Sequence, residues 1–243
     1  MRRAHDGELM TVMRSLASRA LQILREEGLS ALLRHSIAFP VYLLSHLVEW
    51  GSVYLYEYDL ESGEMPQPCA PSELYLLNIV HTNEEADQLA ARGFEDLRTR
   101  FIMARRNLSR GAIAFCVYEG GELANVGWIG LAKKAKECID RVPYSVDFEH
   151  GETFTGGDFT VPNSRGKGLM FYNLGERVRY LQEGGYRVNR DAVPTDNVGS
   201  QRVTERFAGK PRARAFYVRL FGWSYLRERS LERCCLDPPE CAP

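Results

Sequence analysis

Early in the chain the apolar residues change their spacing. Leu16, Leu21, Leu24, Leu29, Leu32 and Leu33 recur with helical periodicity and Gly28 interrupts them, which predicts two helices over 16–33. The next run, HSIAFPVYLLSHLVEW over 35–50, is broken by Pro40 and carries His35 and His46. It falls short of the roughly 20 apolar residues that cross a bilayer, so an interfacial or partner-facing helix pair is expected. From residue 51 the period becomes two: in SVYLYEYDL, Tyr54, Tyr56 and Tyr58 alternate with Val53, Leu55 and Glu57, a strand pattern. A boundary near residue 51 therefore separates an N-terminal helical appendage, 1–50, from a main domain over 51–226, followed by a tail over 227–243.

A polar, proline-rich connection, ESGEMPQPCAPS, leads to a second extended stretch, ELYLLNIV. Thr82 with Glu85 forms a capping box, so a helix should run from about Asn83 to a stop near Gly93. A second should follow over 95–106, with Leu97, Phe101 and Ile102 on one side. GAIAFCVY and ELANVGWIGL flank Gly120 and Gly121, the pattern of an antiparallel hairpin. AKKAKECIDRV reads as a short helix, and ETFTGGDFTV returns to strand. The next helix repeats Phe171, Leu174, Val178 and Leu181 and ends at Gly184 and Gly185. YRVNRDAV supplies another strand, PTDNVGSQRVTERF a turn and short helix, and RARAFYVRLFGW a final long strand. The order of elements predicts an α/β (α+β) fold.

Composition narrows the chemistry. With 44% hydrophobic residues and a formal net charge of −1 over 243 residues, the chain has the profile of an ordinary globular protein. No excess positive field favours nucleic acid as a partner, so any anion site must be local. The six cysteines, Cys69, Cys116, Cys138, Cys234, Cys235 and Cys241, show no CxxC pairing and no signal peptide precedes them. They are expected to be reduced thiols of a cytoplasmic protein. The tail CCLDPPEC lacks histidine support, so no metal site is expected there.

The local anion site is sought in VPNSRGKGLMF, residues 161–171, where a strand pattern gives way to a helix pattern. A dinucleotide fingerprint would need a third glycine where Phe171 stands. A P-loop would need serine or threonine after Lys167, where Gly168 stands. What remains is Arg165, Gly166, Lys167 and Gly168 at a strand-to-helix junction, where backbone N–H groups and the helix dipole can surround a pyrophosphate. The bland alternative is a sharp turn with solvated basic residues.

In context these residues resemble the GNAT superfamily of N-acetyltransferases. Its central motif runs Val-x-Pro-x-x-Arg/Gln-x-x-Gly-x-Gly/Ala from the family's fourth strand into the next helix. Thr160, Pro162, Arg165 and Gly168 stand in that register, with Thr160 for the usual valine and Met170 for the final small residue. Asn197 and Ser200 likewise resemble the family's later asparagine and small residue. The resemblance is specific over 155–223 and does not reach 1–50. It implies a mixed, splayed sheet flanked by helices, with acyl-CoA, most simply acetyl-CoA, bound as co-substrate between the family's fourth and fifth strands. By that resemblance Asp158, Phe159 and Thr160 offer backbone groups to the pantetheine arm. Gly166, Lys167, Gly168, Leu169, Met170 and Phe171 wrap the pyrophosphate, with Arg165 assisting.

The resemblance further implies direct acyl transfer to an amine, with no covalent cysteine step and no metal. Acyl transfer needs an uncharged amine, an oxyanion donor and a proton source for the thiolate. Asp147, Glu149, His150, Glu152 and Asp158 are the acids and bases near the strand, and Glu152 shares strand parity with the family's occasional catalytic glutamate. The family's tyrosine acid would fall at Thr204, so water, Tyr217 or another tyrosine must serve as the acid. The expected function is an acyl-CoA-dependent N-acyltransferase acting on a small-molecule or protein amine. Two alternatives stay open: a non-catalytic acyl-CoA-binding protein of the same fold, and a longer-chain acyltransferase at a membrane surface. Residues 16–46 are the candidate surface for that membrane contact or for a homodimer.

Overall fold

The computed structural model describes residues 48–61, 66, 70–101, 103–220 and 223–231. The expected helices over 16–33, residues 35–47 of the helix pair expected over 35–50, the membrane or dimer contact through 16–46, Ile102, and Cys69, Cys234, Cys235 and Cys241 lie outside them; the last three residues of that pair, Val48 to Trp50, are strand instead. By internal contacts the chain divides into two units, 1–50 with 218–223 and 51–217 with 224–243. In the first, Arg219 Nη1 lies 4.0 Å from Glu49 Oε2. The second holds all the residues of the candidate site.

Among the described residues eight strands form one sheet: β1 (Val48–Asp59), β2 (Tyr75–Val80), β3 (Ala112–Glu119), β4 (Glu122–Gly130), β5 (Glu152–Thr160), β6 (Val188–Pro194), β7 (Lys210–Leu220) and β8 (Trp223–Ser230). Their spatial order is β2-β3-β4-β5-β6-β1-β7-β8. The pairs β2–β3, β3–β4, β4–β5 and β1–β6 are antiparallel, whereas β5 and β6 run parallel. The single strand expected over 212–223 is thus two strands, and β8 runs to Ser230, past the tail boundary drawn at 226.

The helices are α1 (Asn83–Ala91), α2 (Leu97–Arg100), α3 (Ala104–Ser109), α4 (Lys133–Ile139), α5 (Leu169–Glu183) and α6 (Val198–Arg206). Thr82 caps α1 by accepting the Glu85 N–H at 3.2 Å, while the Glu85 carboxylate takes the His81 N–H at 2.6 Å. The one helix expected over 95–106 is two: after a single turn Phe101 adopts extended backbone, and its ring meets Phe159 edge-on at 5.1 Å.

Alternation along the strands gives each face its own core. On one face Leu89, Leu97, Leu108 and Ala135 from α1 to α4 pack on Ala114, Cys116, Val126 and Trp128. On the other, Leu174, Val178 and Leu181 of α5 pack on Tyr56, Tyr58, Phe115, Ile129 and Val193. The helical period seen in the sequence is therefore the buried stripe of α5, where each such side chain contributes about 1.5–3 kcal/mol of transfer free energy. Burial also pushes the Cys116 thiol up to about 12, which leaves it protonated and unreactive.

Candidate active site

The site begins where the parallel pairing stops. Residues β5 and β6 share only three rungs, Glu152 with Val188, Thr153 with Asn189 and Phe154 with Arg190. Beyond them β5 stays with β4, placing Phe159 opposite Val126 and Thr160 opposite Asn125, while β6 stays with β1. The sheet therefore opens into a fork. Its cause lies in the register shift between Val126 and Trp128, where two residues of β5, Gly157 and Asp158, face the one residue Gly127. Such a bulge bends a strand and frees its backbone groups from the ladder. Only glycine suits position 157: φ is +63°, and an added Cβ would lie 2.7 Å from Ile139 Cγ2.

Asn125 secures the bulged strand from β4, its Nδ2 donating to Phe159 C=O at 3.1 Å and to Thr160 Oγ1 at 2.8 Å. From Thr160 the chain passes through a 3₁₀ turn, Pro162–Ser164, into Gly166 and Gly168, whose φ values are +75° and +79°. An added Cβ at Gly166 would meet nothing within 4 Å, so backbone conformation and not crowding selects glycine there. No side chain caps α5, and its first intrahelical bond is Tyr172 N–H to Gly168 C=O at 3.0 Å. The N–H groups of Leu169, Met170 and Phe171 thus lead the helix at its positive end. With an open parallel fork, a bulge in the strand entering the turn and an uncapped helix after it, the expected architecture is present. The sheet is mixed, splayed and flanked by helices.

The residues that carry the resemblance are placed as follows. Arg165 Nε donates to Thr160 C=O at 3.2 Å, and Lys167 Nζ lies 3.4 Å from Glu119 Oε2. Hydrogen bonding to Tyr75 and Glu119 holds the Lys167 ammonium above the usual lysine range. Asn197 caps α6 by accepting the Ser200 N–H at 3.1 Å, and Ser200 Oγ lies 3.8 Å from Met170 Sδ. Met170 therefore does not displace the helix start; its side chain bridges α5 to α6. Leu169 is buried in the sheet, and the Phe171 ring is held by Phe207 at 5.1 Å and by the Arg206 guanidinium.

The two residues expected to catalyse are not brought to the fork opening. Glu152 is the first residue of β5, about 26 Å along the strand from Thr160 at 3.3 Å per residue. Its carboxylate is bound to the Arg190 guanidinium and accepts the Asp147 N–H at 2.8 Å. Although burial alone would raise it, those bonds hold it below the usual glutamate range. Tyr217 lies on β7, three strands from β5, and packs against Phe154, Val53 and Ala215. Asp147 and His150 bind each other at 2.7 Å on the surface. Thr204 is fully buried.

What the fork does contain is a buried charge network of which only Asp158 belongs to the expected set. Arg177, 0% exposed at mid-α5, pairs with Asp158 of the bulge and donates to Trp128 C=O at 3.2 Å. Its guanidinium lies flat over Gly127, where an added Cβ would come within 2.6 Å of Arg177 Cζ. Asp191 of β6 is the first residue past the last parallel rung and is also buried. Burial, and then the nearby charge of Asp158, push its carboxyl up to about 8. Burial likewise lifts Asp158 above the usual aspartate range despite Arg177. The sequence signal for the bulge was the glycine pair inside a strand. Nothing in YRVNRDAV distinguishes Asp191 from a solvated residue.

No family model and no curated protein sequence matches the chain. Among solved structures it is similar to a Drosophila protein of structural-genomics origin, at 12% identity and a TM-score of 0.48, covering 78% of this chain and 58% of that one. It is also similar to a GCN5-related N-acetyltransferase from Kribbella flavida, at 17% identity and a TM-score of 0.43, covering 72% and 61%. A GCN5-related N-acetyltransferase from Sphaerobacter thermophilus matches at 15% identity and a TM-score of 0.43, covering 83% and 57%. The chain thus spans less than two thirds of each. Likenesses at this level carry no argument about chemistry.

Proposed function

We propose that the chain is an acyl-CoA-dependent N-acyltransferase that passes an acetyl group from acetyl-CoA directly to an amine. The observation that carries this reading is the fork: the bulge at Gly157–Asp158 opens the strand pair immediately before an uncapped, glycine-led helix start. A thioester co-substrate supplies an activated acyl group. Along β5, Asp158 and Thr160 present backbone polar groups on the side that β6 has left, whereas the Phe159 C=O is bound by Asn125 of β4. Gly166 to Phe171 supply N–H donors for a pyrophosphate, and the start of α6 at Asn197 and Ser200 adjoins them. Backbone donors fixed in this way need no reorganisation when charge develops on the acyl oxygen.

Thr204, where the family's tyrosine acid would fall, is a buried hydroxyl of far too high a pKa to protonate a thiolate. A thiolate leaves well without one. The same substitution favours a second reading, a protein that binds acyl-CoA without turnover. Thiol release from acetyl-CoA across a broad panel of primary amines separates the two: turnover supports the transferase, and binding without turnover supports the sensor. The amine acceptor and the cytoplasmic setting are parts of this proposal, and a longer-chain acyltransferase at a membrane surface is an alternative to it. Among the described residues no helix is long and apolar enough to cross a membrane.

A further inference from the structure

Strand β7 alternates without a break over its middle: Ala213, Ala215 and Tyr217 are buried against the sheet's core, and Arg212, Arg214 and Phe216 are exposed on the other face. Strand β8 follows after two residues. Leu231, just past its end, donates its N–H to Arg212 C=O at 3.0 Å. That bond and the two-residue connection agree on one hairpin register, in which Tyr217 faces Leu226; both side chains pack in the same cluster. The same register sets Arg214 directly opposite Arg229, and Phe216 directly opposite Arg227. Tyr225 is the next residue on that face of β8. Phe216 is 43% exposed and Tyr225 45%.

Stability alone does not account for this placement. Like charges directly opposite each other on a sheet face destabilise it. Arg212 reaches Glu57 at 3.8 Å, but Arg214, Arg227 and Arg229 have no ion-pair partner among the described residues. The one acid of β7 and β8, Glu228, alternates with these arginines and falls on the opposite face with Leu226. A net charge of −1 over the whole chain conceals this local positive field.

We propose that this face binds a single-stranded nucleic acid, with Arg214, Arg227 and Arg229 on its phosphates and Phe216 and Tyr225 stacked on its bases. The proposal is independent of the acyl-transfer reading. A guanidinium fork matches a phosphate with two parallel hydrogen bonds, and a phosphate between Arg214 and Arg229 turns their repulsion into attraction. Aromatic rings on an open sheet face stack on any unpaired base. An acidic peptide would satisfy the arginines and leave the rings unused. An anionic membrane would call for apolar side chains on one face of a helix, whereas here rings and guanidinium groups share a sheet face.

The test is fluorescence anisotropy of a labelled oligouridylate, about 12 nucleotides long, titrated with the full chain. Wild type should bind with a dissociation constant below about 100 μM at about 50 mM salt. Arg214→Gln/Arg229→Gln should weaken binding at least about tenfold, and should flatten the plot of log affinity against log salt by about 1.4, or about 0.7 per lost phosphate contact. Phe216→Ala should weaken binding about 5- to 100-fold and leave the salt slope unchanged. Saturating acetyl-CoA should leave binding as it is. No binding by wild type, full affinity in either variant, or displacement by acetyl-CoA overturns the proposal. So does tighter binding of polyglutamate or of phosphatidylserine vesicles than of the oligonucleotide. Both variants replace exposed side chains and should melt near the wild-type temperature; should the double variant fail to fold, Phe216→Ala decides.

Discussion

Arg177 lies flat over Gly127 and pairs with Asp158 across the fork, so one guanidinium ties helix α5 to the bulge that opens the sheet. A buried charge left alone costs far more than the pair gains, because desolvation is no longer offset. Arg177→Ala should therefore cost about 3–5 kcal/mol of stability in urea denaturation. A loss under about 1 kcal/mol would mean that the pair does not tie these elements together.

Gly127 is the space that this guanidinium occupies. An added methyl would meet Arg177 Cζ at 2.6 Å, so Gly127→Ala should destabilise by about 1–3 kcal/mol through overpacking. The double variant Gly127→Ala/Arg177→Met should lose less than the two single losses summed, since both act on one contact. Strict additivity in the double-mutant cycle would show that they are independent.

Asp191 links stability to pH with a definite sign. Its folded pKa of about 8 lies above the ordinary 3.8, so the folded state holds a proton that the unfolded state has released. That contribution is complete below about 3.8 and is lost as pH rises through about 8. The stability of Asp191→Asn minus that of wild type should climb by up to about 1.4 kcal/mol per pH unit between pH 5 and 8, then level off. Denaturation curves at unit pH steps read this directly, and a flat difference would place the Asp191 titration elsewhere.

Glu152 is bound to Arg190 at the closed end of the fork, away from the turn. Glu152→Gln should leave kcat/KM for thiol release within about twofold of wild type, with any cost confined to stability. A loss of a hundredfold would return Glu152 to the chemistry.

Much of this was legible in the sequence because it is local. The capping box, the Gly120–Gly121 hairpin, the α5 stripe and the glycine turn all follow from short-range spacing, and each element stands near its expected bounds. ETFTGGDFTV reads as plain strand, and the fork at its glycine pair 156–157 depends on which strand lies beyond it. That is a matter of long-range pairing: β1, first in the described chain, fills the place between β6 and β7, which no local pattern encodes. Glu152 and Tyr217 were chosen by parity and residue type, and their partners, Arg190 and the Phe154 cluster, come from distant strands. Asp191 was invisible for the same reason, since its burial is imposed by α5 and β1 and not by its sequence neighbours.

The central claim is that the Gly166–Phe171 turn binds the pyrophosphate of an acyl-CoA, and ligand-induced stabilisation tests it most directly. At an acetyl-CoA concentration about 100 times the dissociation constant, wild type should gain about 2.7 kcal/mol, or roughly 5–10 °C in melting temperature. Gly168→Asp, which sets a carboxylate at the helix start on a backbone with φ of +79°, should lose most of that shift. An unchanged melting curve of the wild type at millimolar acetyl-CoA, or an undiminished shift in Gly168→Asp, would contradict the account.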